Sequence, residues 1–225
     1  MDPICPSCGG PLRQIPEDQW PEGGPVPEGT VEMYLGPEPE VRRVVVVHGY
    51  DAAPDQHWFP WLRDRLAAEG VRTEVVELPE PSFPESGAWL AAVARAVGEP
   101  DPHTHLVGHS LGCITILRHL AGLPQPWTLG GLVLVAGFTG RLEAVPLLEE
   151  FLAEDVDVSA VRANARRRLV LRSDNDPTVP AAATEALAAR LDAPVRVVPR
   201  AGHFCGSDGV TRLPAVLEAL VPRGG

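Results

Sequence analysis

The sequence predicts an α/β fold: a mainly parallel central sheet of about six strands flanked by helices. Three observations predict it. Short apolar runs such as "RVVVV", "THLVG" and "GLVLV" recur from Val41 onward, as expected of strands buried on both faces of a parallel sheet. Between them, apolar residues recur at helical spacing, so strand and helix alternate in the way that right-handed crossovers require. No fixed-period repeat is present, which excludes a solenoid.

The elements follow in order. "VRRVVVVHG" reads as the first core strand, ending in glycine. Trp58, Trp61, Leu62, Arg65 and Leu66 then mark a helix, with Pro60 tolerated in its first turn and Gly70 ending it where positive φ is needed. "VRTEVVELP" is the second strand; Trp89, Leu90, Val93 and Val97 form the next helical stripe, stopped by Gly98. "HTHLVG" is the third strand, and Leu111, Ile114, Leu117 and Leu120 continue it as a helix. "GGLVLVAG", "RRLVLRS" and "APVRVVPR" supply strands four to six, with the amphipathic helix "PAAATEALAARL" between the last two. From Phe138 to Arg168 the connection is long for this fold class. Its "AVPLLEEFLAE" carries a helical pattern, suited to roofing a site but too short for a separate lid domain.

With 225 residues, 44% of them hydrophobic, the chain can bury a substantial core. Residues 1–40 are rich in proline, glycine and acid and read as an arm, with one edge strand at Val31 to Leu35; residues 41–225 read as the α/β domain. A formal net charge of −11 argues against a nucleic-acid partner or an anionic membrane surface, both of which select basic patches. Neither a leader pattern nor an apolar stretch of spanning length occurs, so the expected location is the cytoplasm, where thiols stay reduced. Oligomeric state is left between monomer and homodimer.

Gly108-His109-Ser110-Leu111-Gly112 sits at the change from strand to helix. It fits the G-x-S-x-G nucleophile elbow, in which small residues let backbone segments pass closely at a strained turn and leave the serine hydroxyl at its tip. In a parallel α/β sheet, reacting groups gather at the carboxyl ends of strands. The fifth strand ends in "SDNDPTVP", and the sixth is followed by "RAGHFCG". Nucleophile, acid and base thus come in the order serine, aspartate, histidine, the chain order of α/β-hydrolases. Ser110 needs a base to remove its proton, and His203 has the side chain suited to that task. An orienting carboxylate is assigned to Asp176, which opens a D-x-x-V-P turn; Asp174 is the competitor, and a capping role is the bland reading of Asp176. The oxyanion donors are assigned to the amides of Leu111, opening the helix after the elbow, and Tyr50, after the first strand.

The remaining histidines take structural readings. His48 supports its loop by hydrogen bonding, His109 lines the site or packs, and His57, His103, His105 and His119 read as surface or loop residues. Trp58 and Trp61 read as core anchors. Cys113 and Cys205 read as packing residues.

"VVVVHGYDAAPDQHWFPWLRDRL", "LVGHSLGC", "SDNDPTVP" and "AGHF" together resemble the small α/β-hydrolases of the family that includes retinoblastoma-binding protein 9 and related bacterial serine hydrolases. The resemblance runs from about Arg42 to Leu220. It implies a largely lidless core with Ser110, Asp176 and His203 as triad, acting on small-molecule esters, with amides and thioesters as variants. Catalysis would need no cofactor. The alternative is a catalytically weak or inactive hydrolase fold used as an interaction module. The arm departs from the family pattern. Its "CPSCGG" resembles one knuckle of a zinc ribbon, with Cys5 and Cys8 as thiolate ligands of a structural zinc, but such a site needs four ligands. The other reading is an unmetallated or oxidised pair.

Overall fold

The computed structural model describes residues 41–221 apart from Glu143, together with the backbone of two short segments, Arg13–Gln14 (β1) and Tyr34–Leu35 (β2). The chain divides into two compact units, Met1–Glu40 and Val41–Gly225. In the first, β1 and β2 pair antiparallel as a separate two-stranded sheet. The edge strand expected at Val31 to Leu35 is thus a local pairing at Tyr34–Leu35, and Val31 to Met33 lie outside the described residues, as do Cys5 and Cys8. Among the described residues no group of three or more histidine, cysteine or acidic side chains is arranged to hold a metal ion, and no helix is long and apolar enough to cross a membrane.

Among its described residues the second unit has six strands: β3 (Arg43–Val47), β4 (Arg72–Val75), β5 (Thr104–His109), β6 (Leu129–Val135), β7 (Ala165–Ser173) and β8 (Val195–Val198). They pair in the order β4-β3-β5-β6-β7-β8, every pair parallel. The helices are α1 (Phe59–Ala68), α2 (Ser86–Val97), α3 (Leu111–Ala121), α4 (Ser159–Asn164), α5 (Ala181–Leu191) and α6 (Pro214–Leu220). Alternation along β3 feeds both faces. Val44 and Val46 pack with Trp58, Phe59 and Leu62 of the α1 region and Val216 of α6. Val45 and Val47 belong to the core on the other face, with Trp89 of α2, Ile114 of α3 and Leu187 of α5. Side chains of successive residues leave a strand on opposite sides, so a run of four valines requires a helical layer on each face.

The helix stops expected at Gly70 and Gly98 have φ of +76° and +58°. Trp58 is buried, but Trp61 is only partly so, at the margin of the core. α3 is buried almost all round, with Arg118 its least enclosed polar residue. β8 departs from the buried-strand reading: it is one of the two sheet edges, with Val195 and Val197 at 38% and 42% exposure.

The expected helix in "AVPLLEEFLAE" is a single 3-10 turn, Pro146–Leu148, followed by turns. Two arginines rooted in α3 and α5 fasten the far end of this segment and the residues that flank it. Arg118 of α3 donates to the carbonyls of Phe151 (2.7 Å) and Glu154 (2.5 Å). Arg190 of α5 donates to the Val156 carbonyl (2.5 Å), the Thr139 hydroxyl (3.0 Å) and Asp155 (2.8 Å). Ahead of those fastenings the backbone closes only local turns, such as the Leu148 amide to the Val145 carbonyl (3.0 Å) and the Leu152 amide to the Leu148 carbonyl (2.9 Å).

His105 and His119 correct the surface reading: both are buried. His105 sits in β5 against Gly130 and Gly131, where an added Cβ would stand 2.7 Å and 2.4 Å from its ring nitrogens. Burial pushes its imidazole down from 6.5 to about 4. The unfolded chain therefore takes up a proton near its ordinary pKa that the native state refuses until about pH 4. Stability from this residue is complete above pH 6.5 and is lost as pH falls toward 4. Denaturant melts of the native protein and His105→Asn over that range will show a smaller acid-induced loss in the variant, by about 3 kcal/mol.

Candidate active site

The chain runs from β3 to β4 on one side, then crosses to β5 on the other side of β3. That reversal opens a crevice at the carboxyl ends of β3 and β5, where ligands of such sheets bind. Ser110 follows β5, and Gly49-Tyr50 follow β3.

Ser110 has φ +52° and ψ −120°, a backbone state that costs a non-glycine residue about 1–3 kcal/mol. Two bonds hold it there: its amide donates to the Val135 carbonyl and its carbonyl accepts from the Cys113 amide, each at 2.9 Å. Glycines make the turn passable. A Cβ on Gly112 would lie 2.3 Å from the Val47 carbonyl oxygen and 2.5 Å from that of His48; one on Gly108 would lie 2.9 Å from the Cys113 Cα. α3 therefore begins in backbone contact with the end of β3. The same closeness puts Gly49 beside the elbow, its added Cβ being 2.9 Å from the Ser110 Cβ and 3.5 Å from the Leu111 amide nitrogen. Tyr50 is the next residue. As the first residue of α3, Leu111 presents an amide that no turn of its own helix can satisfy.

His203 reaches the serine from the loop after β8. Its Nε2 lies 2.9 Å from the Ser110 Oγ, and its Nδ1 lies 2.9 Å and 3.1 Å from the two Asp176 oxygens. Asp176 also accepts the amides of Thr178 (2.8 Å) and Val179 (2.9 Å), so it caps its turn and orients the imidazole at once. Asp174, the competing carboxylate, accepts the Arg200 amide at 2.6 Å instead. It belongs to a clamp. The Ser173 hydroxyl oxygen accepts the Ala201 amide (3.0 Å) and Asn175 Oδ1 accepts the Gly202 amide (2.9 Å). Asp208 then accepts the amides of His203 (2.9 Å) and Cys205 (3.0 Å). Five amides around the imidazole are held by side chains, which is what keeps Arg200 and Phe204 at φ of +56° and +60°.

Three further imidazoles surround the serine. His48 bonds through Nδ1 to the Gly49 carbonyl (2.9 Å) and so supports its loop as expected. His109 is buried and bonds through Nε2 to the His203 carbonyl (2.8 Å). A carbonyl only accepts, so Nε2 carries the proton. His57 accepts the Gly206 amide through Nδ1 (2.9 Å) and lines the cavity, so it is more than a loop residue. Burial lowers the pKa of all three, with His203 adding to the effect at His109 and His57. The signal for His57 was its place on the loop that carries Tyr50, at the carboxyl edge of the sheet. The clamp residues Ser173, Asn175 and Asp208 had no signal beyond their polarity.

The cavity over Ser110 holds about 190 Å³. Phe138, Leu142, Val145 and Leu148 of the roof segment give it an apolar wall; Tyr50, His57, Thr178 and Cys205 give it polar atoms. Cys205 is half-buried rather than packed in the core, and burial with Asp208 and Asp176 nearby pushes its thiol up to about 11. Cys113 is fully buried, as expected.

A parallel sheet that carries a strained serine at its switch point, backed by an imidazole and a carboxylate, places the chain among the α/β-hydrolases. Within that class it belongs to the serine hydrolase family, whose model matches residues 44–221. The YdeN protein of Bacillus subtilis, named as a hydrolase, is 37% identical over 179 residues, covering 80% of this chain and 94% of YdeN. Its crystal structure superposes with a TM-score of 0.77, covering 80% of this chain and 97% of that one. Serine hydrolase RBBP9 of Rattus norvegicus is 23% identical over 167 residues, covering 73% and 87% of the two chains. Est1E of Butyrivibrio proteoclasticus, in its ferulic-acid-bound structure, shares the fold at a TM-score of 0.58 and 16% identity.

The close approach at the elbow has a measurable consequence. Gly112→Ala will lower stability by more than about 3 kcal/mol in thermal or denaturant melts. Gly140→Ala, where an added Cβ meets nothing within 4 Å, will change it by less than about 0.5 kcal/mol.

Proposed function

We propose that the protein hydrolyses small carboxylic esters through an acyl-enzyme formed on Ser110. The observation that carries this reading is the unbroken relay of contacts from the Ser110 hydroxyl to His203 Nε2 and from His203 Nδ1 to Asp176. In the first step the Ser110 Oγ attacks the ester carbonyl while His203 Nε2 takes its proton. Asp176 accepts the Nδ1–H, fixing the tautomer and stabilising the imidazolium. Negative charge gathers on the carbonyl oxygen, and the amides of Leu111 and Tyr50 are the assigned donors to it, aided by the positive end of α3. Collapse of the tetrahedral intermediate breaks the bond to the alcohol, which leaves with the proton from His203. Water then attacks the acyl-enzyme with His203 again as base, releasing the acid and regenerating the serine.

The cavity supports small substrates. Its volume of about 190 Å³ lies below the ~300–1,000 Å³ that drug-sized ligands occupy, and its apolar wall suits a short acyl chain. Among the described residues no arginine lines it, so an uncharged ester fits better than an anionic one.

A fluorophosphonate probe tests the reading. Labelling of the native protein and loss of labelling in Ser110→Ala are expected; a folded native protein that fails to label would favour a non-catalytic interaction module. With p-nitrophenyl acetate, Ser110→Ala and His203→Ala will each lower kcat by about 10⁴-fold or more. Asp176→Asn will lower it by about 10³–10⁴-fold, whereas Asp174→Asn, whose side-chain oxygen still accepts the Arg200 amide, will cost less than about tenfold. Across p-nitrophenyl esters, kcat/KM will fall between butanoate and octanoate, as the roof excludes the longer chain.

A further inference from the structure

His57 stands in the cavity wall in an uncommon state. It is a non-glycine residue at φ +56°, its Nδ1 accepts the Gly206 amide at 2.9 Å, and its ring packs edge-on against Phe59 and His109. Each contact constrains it differently. The amide of Gly206 can only donate, so Nδ1 must be the bare nitrogen. Burial, together with the neighbouring His203 and His48, lowers its pKa and keeps the ring uncharged near neutrality. One proton remains, on Nε2. That N–H meets no acceptor among the described residues and is not among the buried unpaired atoms, so it is accessible, on a ring that lines the cavity.

An uncompensated donor in a small, partly apolar cavity costs free energy unless a ligand or water accepts from it. The Ser110 and His203 polar atoms are committed to each other and to Asp176, and the Cys205 thiol is a weak donor. Among the imidazoles that line the wall, His57 is therefore the one with an uncommitted N–H; the hydroxyls of Tyr50 and Thr178 can rotate to accept as well as donate. We propose that His57 is a substrate-binding residue whose Nε2–H donates to an oxygen of the substrate beside the scissile carbonyl, so that the preferred substrates are small esters carrying an ether, hydroxyl or carbonyl oxygen there. This rests on the ester-hydrolase reading above and narrows it from small apolar esters to oxygen-bearing ones. A site that holds a substrate oxygen discriminates against the analogue lacking it more sharply than an apolar pocket distinguishes a methylene.

The two nitrogens can be separated by substitution. The Oδ1 of His57→Asn replaces the Nδ1 acceptor and suits the positive φ, but nothing reaches the Nε2 position; His57→Gln keeps an N–H near Nε2 and gives up the bond to Gly206. Isosteric substrate pairs supply the readout: ethyl methoxyacetate against ethyl butanoate for an oxygen in the acyl chain, and 2-methoxyethyl acetate against butyl acetate for one in the alcohol. The ratio of kcat/KM within each pair, measured by pH-stat, cancels any general loss of activity. In at least one pair that ratio will fall about tenfold or more in His57→Asn and stay within about threefold of native in His57→Gln. Ratios unchanged by His57→Asn in both pairs, including a uniform loss on all substrates, would overturn the assignment, as would an equal fall in both variants. Fluorophosphonate labelling of each variant keeps the two readings apart. Labelled protein with unchanged ratios rejects only the role of His57, while a native protein that neither labels nor turns over any ester rejects the hydrolase reading itself.

Discussion

The site depends on the contact between Gly112 and the carbonyls of Val47 and His48. There the first turn of α3 touches the end of β3 with no side chain between them. Without that contact the crevice at the switch point would open by at least the width of a methyl group. The serine backbone would then lose its neighbours, and Gly49 would no longer lie beside the Leu111 amide. Close-packed interiors transmit such displacements rather than absorbing them. The two-residue spacing between glycine and serine is therefore a geometric requirement of the strand-to-helix turn.

The base is held by different means. His203 sits on a loop that follows an exposed edge strand, the least protected strand of the sheet. Backbone pairing does little for it, so side chains take over: Ser173, Asp174 and Asn175 bind three successive amides, and Asp208 binds two more. The polar run at the end of β7 thus has two tasks, with its first three residues placing the loop and Asp176 orienting the ring. From below, His109 grips the His203 carbonyl, joining the elbow directly to the base it serves.

Much of this was legible in the sequence because it follows from period and order. Apolar runs located all six strands, the two glycines of the elbow announced a close approach, and the order serine, aspartate, histidine matched a sheet that gathers its loops at one edge. Asp176 could be preferred over Asp174 only through its turn, since both carboxylates lie in the same loop and local pattern does not say which one faces an imidazole. Tertiary contacts decided the rest. "AVPLLEEFLAE" has helical periodicity, yet its last residues are tied to Arg118 of α3 and the residues just beyond it to Arg190 of α5, and no local window contains those partners. His105 and His119 looked like surface residues because a histidine carries no apolar signal, and their enclosure is set by glycines and helices far away in sequence. β8 reads as apolar as its neighbours, but its place at the edge is a property of topology.

The arginine fastenings of the roof bear on the dimensions of the cavity. Arg118 and Arg190 anchor that segment at Phe151, Glu154 and Val156 and at Thr139, from two helices that are themselves packed on the sheet. A cover pinned at its two ends behaves as a lintel, with the stretch that walls the cavity carried between its posts. The helices beneath, and not the span itself, thus set how far that wall stands from the serine.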